Sequence, residues 1–274
     1  MRNLALRRLL PKIFVSGLVL LTACGGPPTS GATPIPDLAI LSSMSIPMNT
    51  TVVLDPGHNG ASAAHPTEIN RPVPNGRGGT KPCNTTGTST NSGYPEHAFT
   101  WDVALRVRDA LTARGVRVVL TRPDDAGVGP CVNDRAAIAN RAGAKAVVSI
   151  HADGAAPHGH GFHVAYSDPP LNDSQRAPSR TLAEALAKAL RDGHFSTSNY
   201  VGSNGLNPRS DLAGLNLAKI PAALVECANM RNPEEVMLIS TPAGRARYAT
   251  AIANGIMVWL TAQEPASESG ETRR

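Results

Sequence analysis

The sequence predicts an α/β domain in which a mostly parallel, twisted sheet carries helices on both faces. Short apolar runs alternate with stretches of helical periodicity, the pattern of strand-helix-strand units. Aromatic residues make up only 4% of the 274 residues, so the core is aliphatic. Val-, Leu-, Ile- and Ala-rich runs suit strands buried on both sides. The length accommodates one large domain with a real core.

Taken in order, Thr51 to Leu54 is a buried strand that stops at the turn Asp55-Pro56-Gly57. Residues 59–94 are rich in Gly, Asn, Thr and Pro and read as one long loop, a length that is usually functional. Pro95 and Glu96 then open a helix: proline suits the first turn, and an acid there suits the dipole. Its apolar stripe is Trp101, Ala104, Leu105, Val107 and Leu111, and Gly115 stops it. Strands are read at Val116 to Leu120, Ala146 to Ile150, Gly161 to Tyr166 and Ala222 to Val225. Helices are read at Asp134 to Ala142, Ser179 to Asp192 and Thr241 to Leu260.

The ends of the chain have a different character. Arg2, Arg7, Arg8 and Lys12 precede an apolar run from Ile13 to Ala23. This run is too short to span a bilayer, which takes ~20 apolar residues, and it reads as an export signal. Leu21-Thr22-Ala23-Cys24-Gly25 resembles a bacterial lipobox, in which Cys24 would be lipidated; an ordinary cleaved signal is the alternative. The expected organisation is a lipoprotein-type signal peptide over 1–23, a Gly/Pro/Ser/Thr-rich tether over 24–49, the catalytic domain over 50–262 and a disordered tail over 263–274. Such a protein sits in the periplasm or cell-wall space, held to the outer face of the membrane. The net charge is +5, partly from the N-terminal arginines, and no basic cluster is interleaved with aromatics, so nucleic acid is not an expected partner. No oligomerisation motif is evident, and a monomer is expected.

An exported protein can form disulfides. Cys83 and Cys131 lie in Gly/Pro-rich stretches, whereas Cys227 lies in an apolar run. Pairing of Cys83 with Cys131 is expected, with two unrelated thiols as the alternative. The bond would stabilise by about 4 kcal/mol in the chain-entropy model.

Open α/β sheets bind ligands beyond the carboxyl ends of their strands. His58, His151 and Glu226 occupy such positions, and Glu96 opens the helix to which the long loop returns. Two His and a carboxylate with one open position make a catalytic zinc site. A second carboxylate could move the proton of an attacking water. Position alone is weak, because a His after a strand is more often a hydrogen-bonded loop residue, and the chain has eight His.

The motifs are more specific. Val52-Val53-Leu54-Asp55-Pro56-Gly57-His58 resembles the opening motif of the zinc-dependent N-acetylmuramoyl-L-alanine amidases, the amidase-3 family. Val119-Leu120-Thr121-Arg122, Asp134-Arg135 and Ala139-Asn140 resemble its middle segment, and Val148-Ser149-Ile150-His151-Ala152-Asp153 its second His motif. Arg209-Ser210-Asp211-Leu212, Pro221-Ala222-Ala223-Leu224-Val225-Glu226 and Asn232-Pro233-Glu234 resemble its last segment. The match runs in order from about Thr51 to Leu260 and is most similar to mycobacterial members. The resemblance implies that His58, Glu96 and His151 bind one Zn2+ and that Glu226 is the general acid/base. It also implies the substrate: the amide between N-acetylmuramic acid and the L-alanine of the stem peptide, in peptidoglycan or its fragments. Asn59, Cys227 and Ala228 depart from the family pattern without removing a ligand. His97 points about 100° away from Glu96 around the helix and is left out of the site.

Arg77 and Asp211 are candidate substrate contacts; Arg122, Arg135 and Arg209 could equally tie loops together. Two other functions remain open to the metal site alone: a zinc peptidase acting on the stem peptide, and a non-catalytic wall-binding lipoprotein. Cys227 beside Glu226 is either a redox-sensitive or metal-competing group or a small buried apolar residue.

Overall fold

The computed structural model describes residues 50–263. The expected signal peptide, tether and Cys24 lipidation site, and the tail beyond Gln263, lie outside the described residues. The elements in chain order are β1 (Thr51–Pro56), α1 (Pro66–Ile69), β2 (Pro72–Pro74), β3 (Thr80–Pro82), α2 (Glu96–Thr112) and β4 (Arg117–Leu120). They continue with α3 (Val132–Arg141), β5 (Ala146–Asp153), β6 (His163–Ser167), α4 (Ala177–Asp192) and β7 (Leu206–Arg209). Last come α5 (Ala213–Leu217), β8 (Ala222–Asn229), α6 (Pro233–Ile239) and α7 (Pro242–Ala262).

Six strands form one sheet in the order β4-β1-β5-β8-β6-β7. Every pairing is parallel except β6 with β8, which is antiparallel. The sheet is buried on both faces because neighbouring residues of each strand feed different cores. Val52, Leu54, Val148, Ile150, Ala223 and Val225 pack with apolar residues of α2, α4 and α7. Val53, Val147, Ala222 and Leu224 pack instead with Ala139 of α3 and Leu215 of α5. The larger core includes Tyr248 of α7, whose ring stacks on Phe195 at 4.1 Å and meets Phe99 edge-on at 6.0 Å. Offset and edge-on aromatic pairs of this kind add to area burial.

The fold class is as the apolar pattern predicts, and the differences are local. The long loop holds α1 and a small antiparallel hairpin, β2 with β3. Three short elements, β7, α5 and α6, lie in stretches without a clear apolar period. β5 and β8 run past their apolar residues, so His151 and Glu226 lie inside strands, paired with each other in register. Their polar side chains do not stop the ladder, because the backbone groups still need partners there.

Cys83 and Cys131 are joined, with a Cα–Cα distance of 4.4 Å. Cys131 immediately precedes α3, so the bond ties the loop to that helix. Among the described residues, no helix is long and apolar enough to cross a membrane.

Asp55 links four parts of the fold at the end of β1. It accepts hydrogen bonds from Thr121 Oγ1 (2.6 Å), Arg135 Nη1 (2.9 Å) and Ser149 Oγ (2.7 Å). Burial pushes its carboxyl up, but the Arg135 charge and these hydrogen bonds outweigh burial and hold it at about 2. The folded state therefore binds this proton less tightly than the unfolded chain. The resulting stabilisation is full above the unfolded value near ~4 and is lost as pH falls towards ~2. Urea unfolding should show the stability gap between wild type and Asp55→Asn narrowing by about 1–2 kcal/mol from pH 6 to pH 2. A gap that stays constant over that range would contradict the role given to Asp55.

Candidate active site

Three adjacent parallel strands, β1, β5 and β8, end on one side of the sheet and deliver the polar residues. His58 follows β1 with φ at 59°, the left-handed region that non-glycine residues seldom occupy. The turn that carries it is tied down by two buried arginines. Arg135 donates to Pro56 O (2.7 Å) and His58 O (2.8 Å) as well as to Asp55. Arg122, fully buried, donates to Pro56 O, Asn59 Oδ1, Asp125 Oδ1 and His97 O. Asn59 thus serves the structure of the turn, since its Oδ1 also accepts from the Gly60 amide.

Glu96 is the first residue of α2 and reaches both imidazoles. Its Oε1 lies 3.1 Å from His58 Nε2 and 3.0 Å from His151 Nδ1. The Ala152 amide donates to the same oxygen at 3.1 Å, and the Thr88 amide donates to Oε2 at 2.9 Å. Burial opposes the charge on Glu96, but the two imidazoles outweigh it and hold its carboxyl well below the usual range. His58 Nδ1 donates to Thr85 O at 2.9 Å, which leaves Nε2 as the free nitrogen facing Glu96.

These three residues fit a metal ion. One donor atom from each of His58, Glu96 and His151 falls within 4.8 Å of the others. Zinc with ~2.0–2.1 Å bonds in tetrahedral geometry would hold its ligand atoms ~3.3–3.4 Å apart, a spacing inside that limit. The backbone makes room for them. A Cβ on Gly57 would lie 2.2 Å from His151 Cε1, and one on Gly87 would lie 2.8 Å from Glu96 Oε2. The carbonyl that fixes the His58 ring is the partner that such ligands usually require.

Glu226 shares a row with His151 across β5 and β8, and with His163 across β6. Its Oε2 is enclosed and has no hydrogen-bond partner. Burial pushes this carboxyl well above the ordinary range; the Glu96 and Asp153 charges add to the rise, and Arg209 opposes it. Cys227 points the other way, into the core beside α2, α4 and α7, and is a free thiol.

The structure brings together His58, Glu96 and His151 and sets Glu226 alongside. His97 stays apart, bonded to Asp125 at 2.8 Å. Arg77 is held by Asn216 Oδ1 (3.2 Å), Ser167 Oγ (3.1 Å) and the Pro169 carbonyl. Asp211 is clasped by both arms of Arg209 at 2.7 Å. Sequence reading missed Thr85, which acts through its carbonyl, and a polar group at the Glu226 end: Asp153 Oδ2 lies 3.3 Å from both His163 Nε2 and Tyr200 Oη. Its signals in the sequence were the second His motif, which ends at Asp153, and the alternation around His163.

An α/β sheet with a His-Glu-His cluster that could hold a metal ion and a further carboxyl at its strand ends fits a hydrolase. Residues 52–258 match the amidase-3 family, described as N-acetylmuramoyl-L-alanine amidase, and the chain belongs to that family. It is 49% identical over 237 residues to the N-acetylmuramoyl-L-alanine amidase Rv3717 of Mycobacterium tuberculosis, covering 85% of this chain and 95% of that protein. The crystal structure of the amidase Ami1 from Mycobacterium smegmatis superposes with a TM-score of 0.76 at 53% identity, covering 79% of this chain and 99% of that one. Apo Ami1 from Mycobacterium abscessus gives a TM-score of 0.75 at 50% identity, covering 77% and 98%.

Replacing Gly57 by Ala should push the His151 ring aside. Release of dye from labelled peptidoglycan should fall at least about tenfold, the scale expected when a reacting group is displaced by ~1 Å. The melting temperature should change little, since the strand itself keeps its pairing. Full activity in Gly57→Ala would show that the close packing of Gly57 on His151 is dispensable.

Proposed function

We propose that this amidase is a one-zinc hydrolase that cuts the amide between N-acetylmuramic acid and L-alanine, with His58, Glu96 and His151 as ligands and Glu226 as general acid/base. The observation that carries the reading is the convergence of the three ligand atoms beside Glu226, whose enclosed Oε2 has no partner. Zinc held there supplies Lewis acidity, polarising a carbonyl and acidifying a water molecule. The Thr85 carbonyl, by holding His58 Nδ1, would leave Nε2 to meet the metal beside Glu96. Glu226 would take the proton of the attacking water and hand it to the departing nitrogen, the two halves of general acid–base catalysis. Asp153 and Arg209, of opposite sign, tune the proton affinity of Glu226 in opposite directions. Arg77 and Asp211 could meet the stem peptide only by exchanging their present protein partners for it. The N-terminal signal and lipobox-like segment support export and anchoring at Cys24, which would put the domain next to its polymer, acting as a monomer.

Glu226→Gln should keep its zinc and lose about 10²–10⁴-fold in rate. Exhaustive chelation of the wild type should abolish activity, and zinc should restore it. Mass spectrometry of digested muropeptides should show intact stem peptides beginning at L-alanine; cleavage inside the stem would indicate a peptidase instead. Wild-type activity in Glu226→Gln, or in the metal-stripped protein, would overturn the corresponding assignment.

A further inference from the structure

The disulfide and the first imidazole are connected by a short chain of contacts. Cys83 and Cys131 are both buried, in a small cluster with Val73. On one side, the chain runs from Cys83 through Asn84 to Thr85, whose carbonyl receives His58 Nδ1 at 2.9 Å. Asn84 adds rigidity: its amide donates to Ile69 O, and its Oδ1 accepts from the Thr85 amide. On the other side, Cys131 leads into α3, and Arg135 in the first turn of that helix donates to Cys131 O through its backbone. The guanidinium of Arg135 grips the Pro130, Pro56 and His58 carbonyls. The Val132 amide also donates to Cys83 O at 2.8 Å, so the two segments are stitched by backbone as well as sulfur.

His58 is thus held twice, its ring by the Cys83 segment and its backbone by the Cys131 segment. It needs both, because it occupies a left-handed backbone conformation with no glycine to relieve it. We infer that the Cys83–Cys131 disulfide is a positioning element of the metal site: by fixing Thr85 relative to Arg135 it sets the ring and backbone of His58 for the ion. This rests on the reading of His58 as a metal ligand. A disulfide that only braced the loop would add stability through the unfolded chain and leave metal affinity alone.

The two roles separate in one experiment on metal-stripped full-length protein. Zn2+ affinity is measured by competition with a chromophoric chelator, and Co2+ absorption reports the ligand geometry. The first variant, which tests the Thr85 link, inserts two glycines between Asn84 and Thr85. It keeps the disulfide while freeing the Thr85 carbonyl. The companion is the Cys83→Ser/Cys131→Ser double variant, checked for folding by circular dichroism. The inserted protein should weaken Zn2+ binding by about 10–100-fold, as loss of a group that orients a ligand does, with an altered Co2+ spectrum and a nearly unchanged melting temperature. The double variant, where folded, should show the same loss together with a lower melting temperature. Zn2+ affinity within about twofold of wild type in either the inserted protein or the folded double variant would overturn the inference, since ligand-orienting groups contribute more than that. A wild type that binds neither Zn2+ nor Co2+ would overturn the reading of the site as well, which distinguishes the two failures.

Discussion

The buried ion pair between Arg135 and Asp55 is the constraint from which the site hangs. Its N–O separation is 2.9 Å, and both side chains are almost wholly enclosed. A buried charge is tolerable only when it is paired and its remaining hydrogen-bonding capacity is used. Arg135 meets that condition by directing its other donors to the carbonyls of Pro130, Pro56 and His58. The same act that neutralises Asp55 therefore also fixes the turn after β1. Removing either partner would leave an unpaired charge in the interior and release the turn together.

Arg122 acts beside it as a second, separate tie. Burial lowers its affinity for a proton, yet it is held at about 10, so it stays charged in ordinary conditions. Its guanidinium lies 4.8 Å over the Trp101 ring and is paired with Asp125. Through the His97 carbonyl it also fixes the start of α2, hence the base of Glu96. The two arginines thereby connect the turn bearing His58 to the helix bearing Glu96 without touching the place where an ion would sit.

Much of this was legible in the sequence, for definite reasons. β1, β5 and β8 are buried on both faces, so their apolar runs are continuous and easy to see. His58, His151 and Glu226 were legible because a parallel sheet presents its strand ends on one side, and because the flanking motifs resemble those of a known family. The hairpin of β2 and β3 was not legible: prolines bound β2 at both ends and close β3, and three-residue strands carry no period. The antiparallel direction of β6 was hidden too, since alternation of side chains is the same in both directions. Thr85 could not be found from residue type, because its carbonyl does the work and every residue has one. Arg135 and Arg122 were visible as residues but open in role, because a charge buried by tertiary contacts looks the same in a sequence as one bound for substrate.

Strand alternation at Glu226 and Cys227 has a broader consequence. Neighbours in the chain, they lie on opposite sides of the backbone, one in the row of His151 and the other filling the core. At this end of β8 the sheet is a partition between a chemical compartment and a mechanical one, while further back both faces are core. Here Cys227 can change in volume as the core is repacked without altering the charge or the reach of Glu226. Two vocabularies are thus interleaved in a single strand, and a change written in one need not be read in the other.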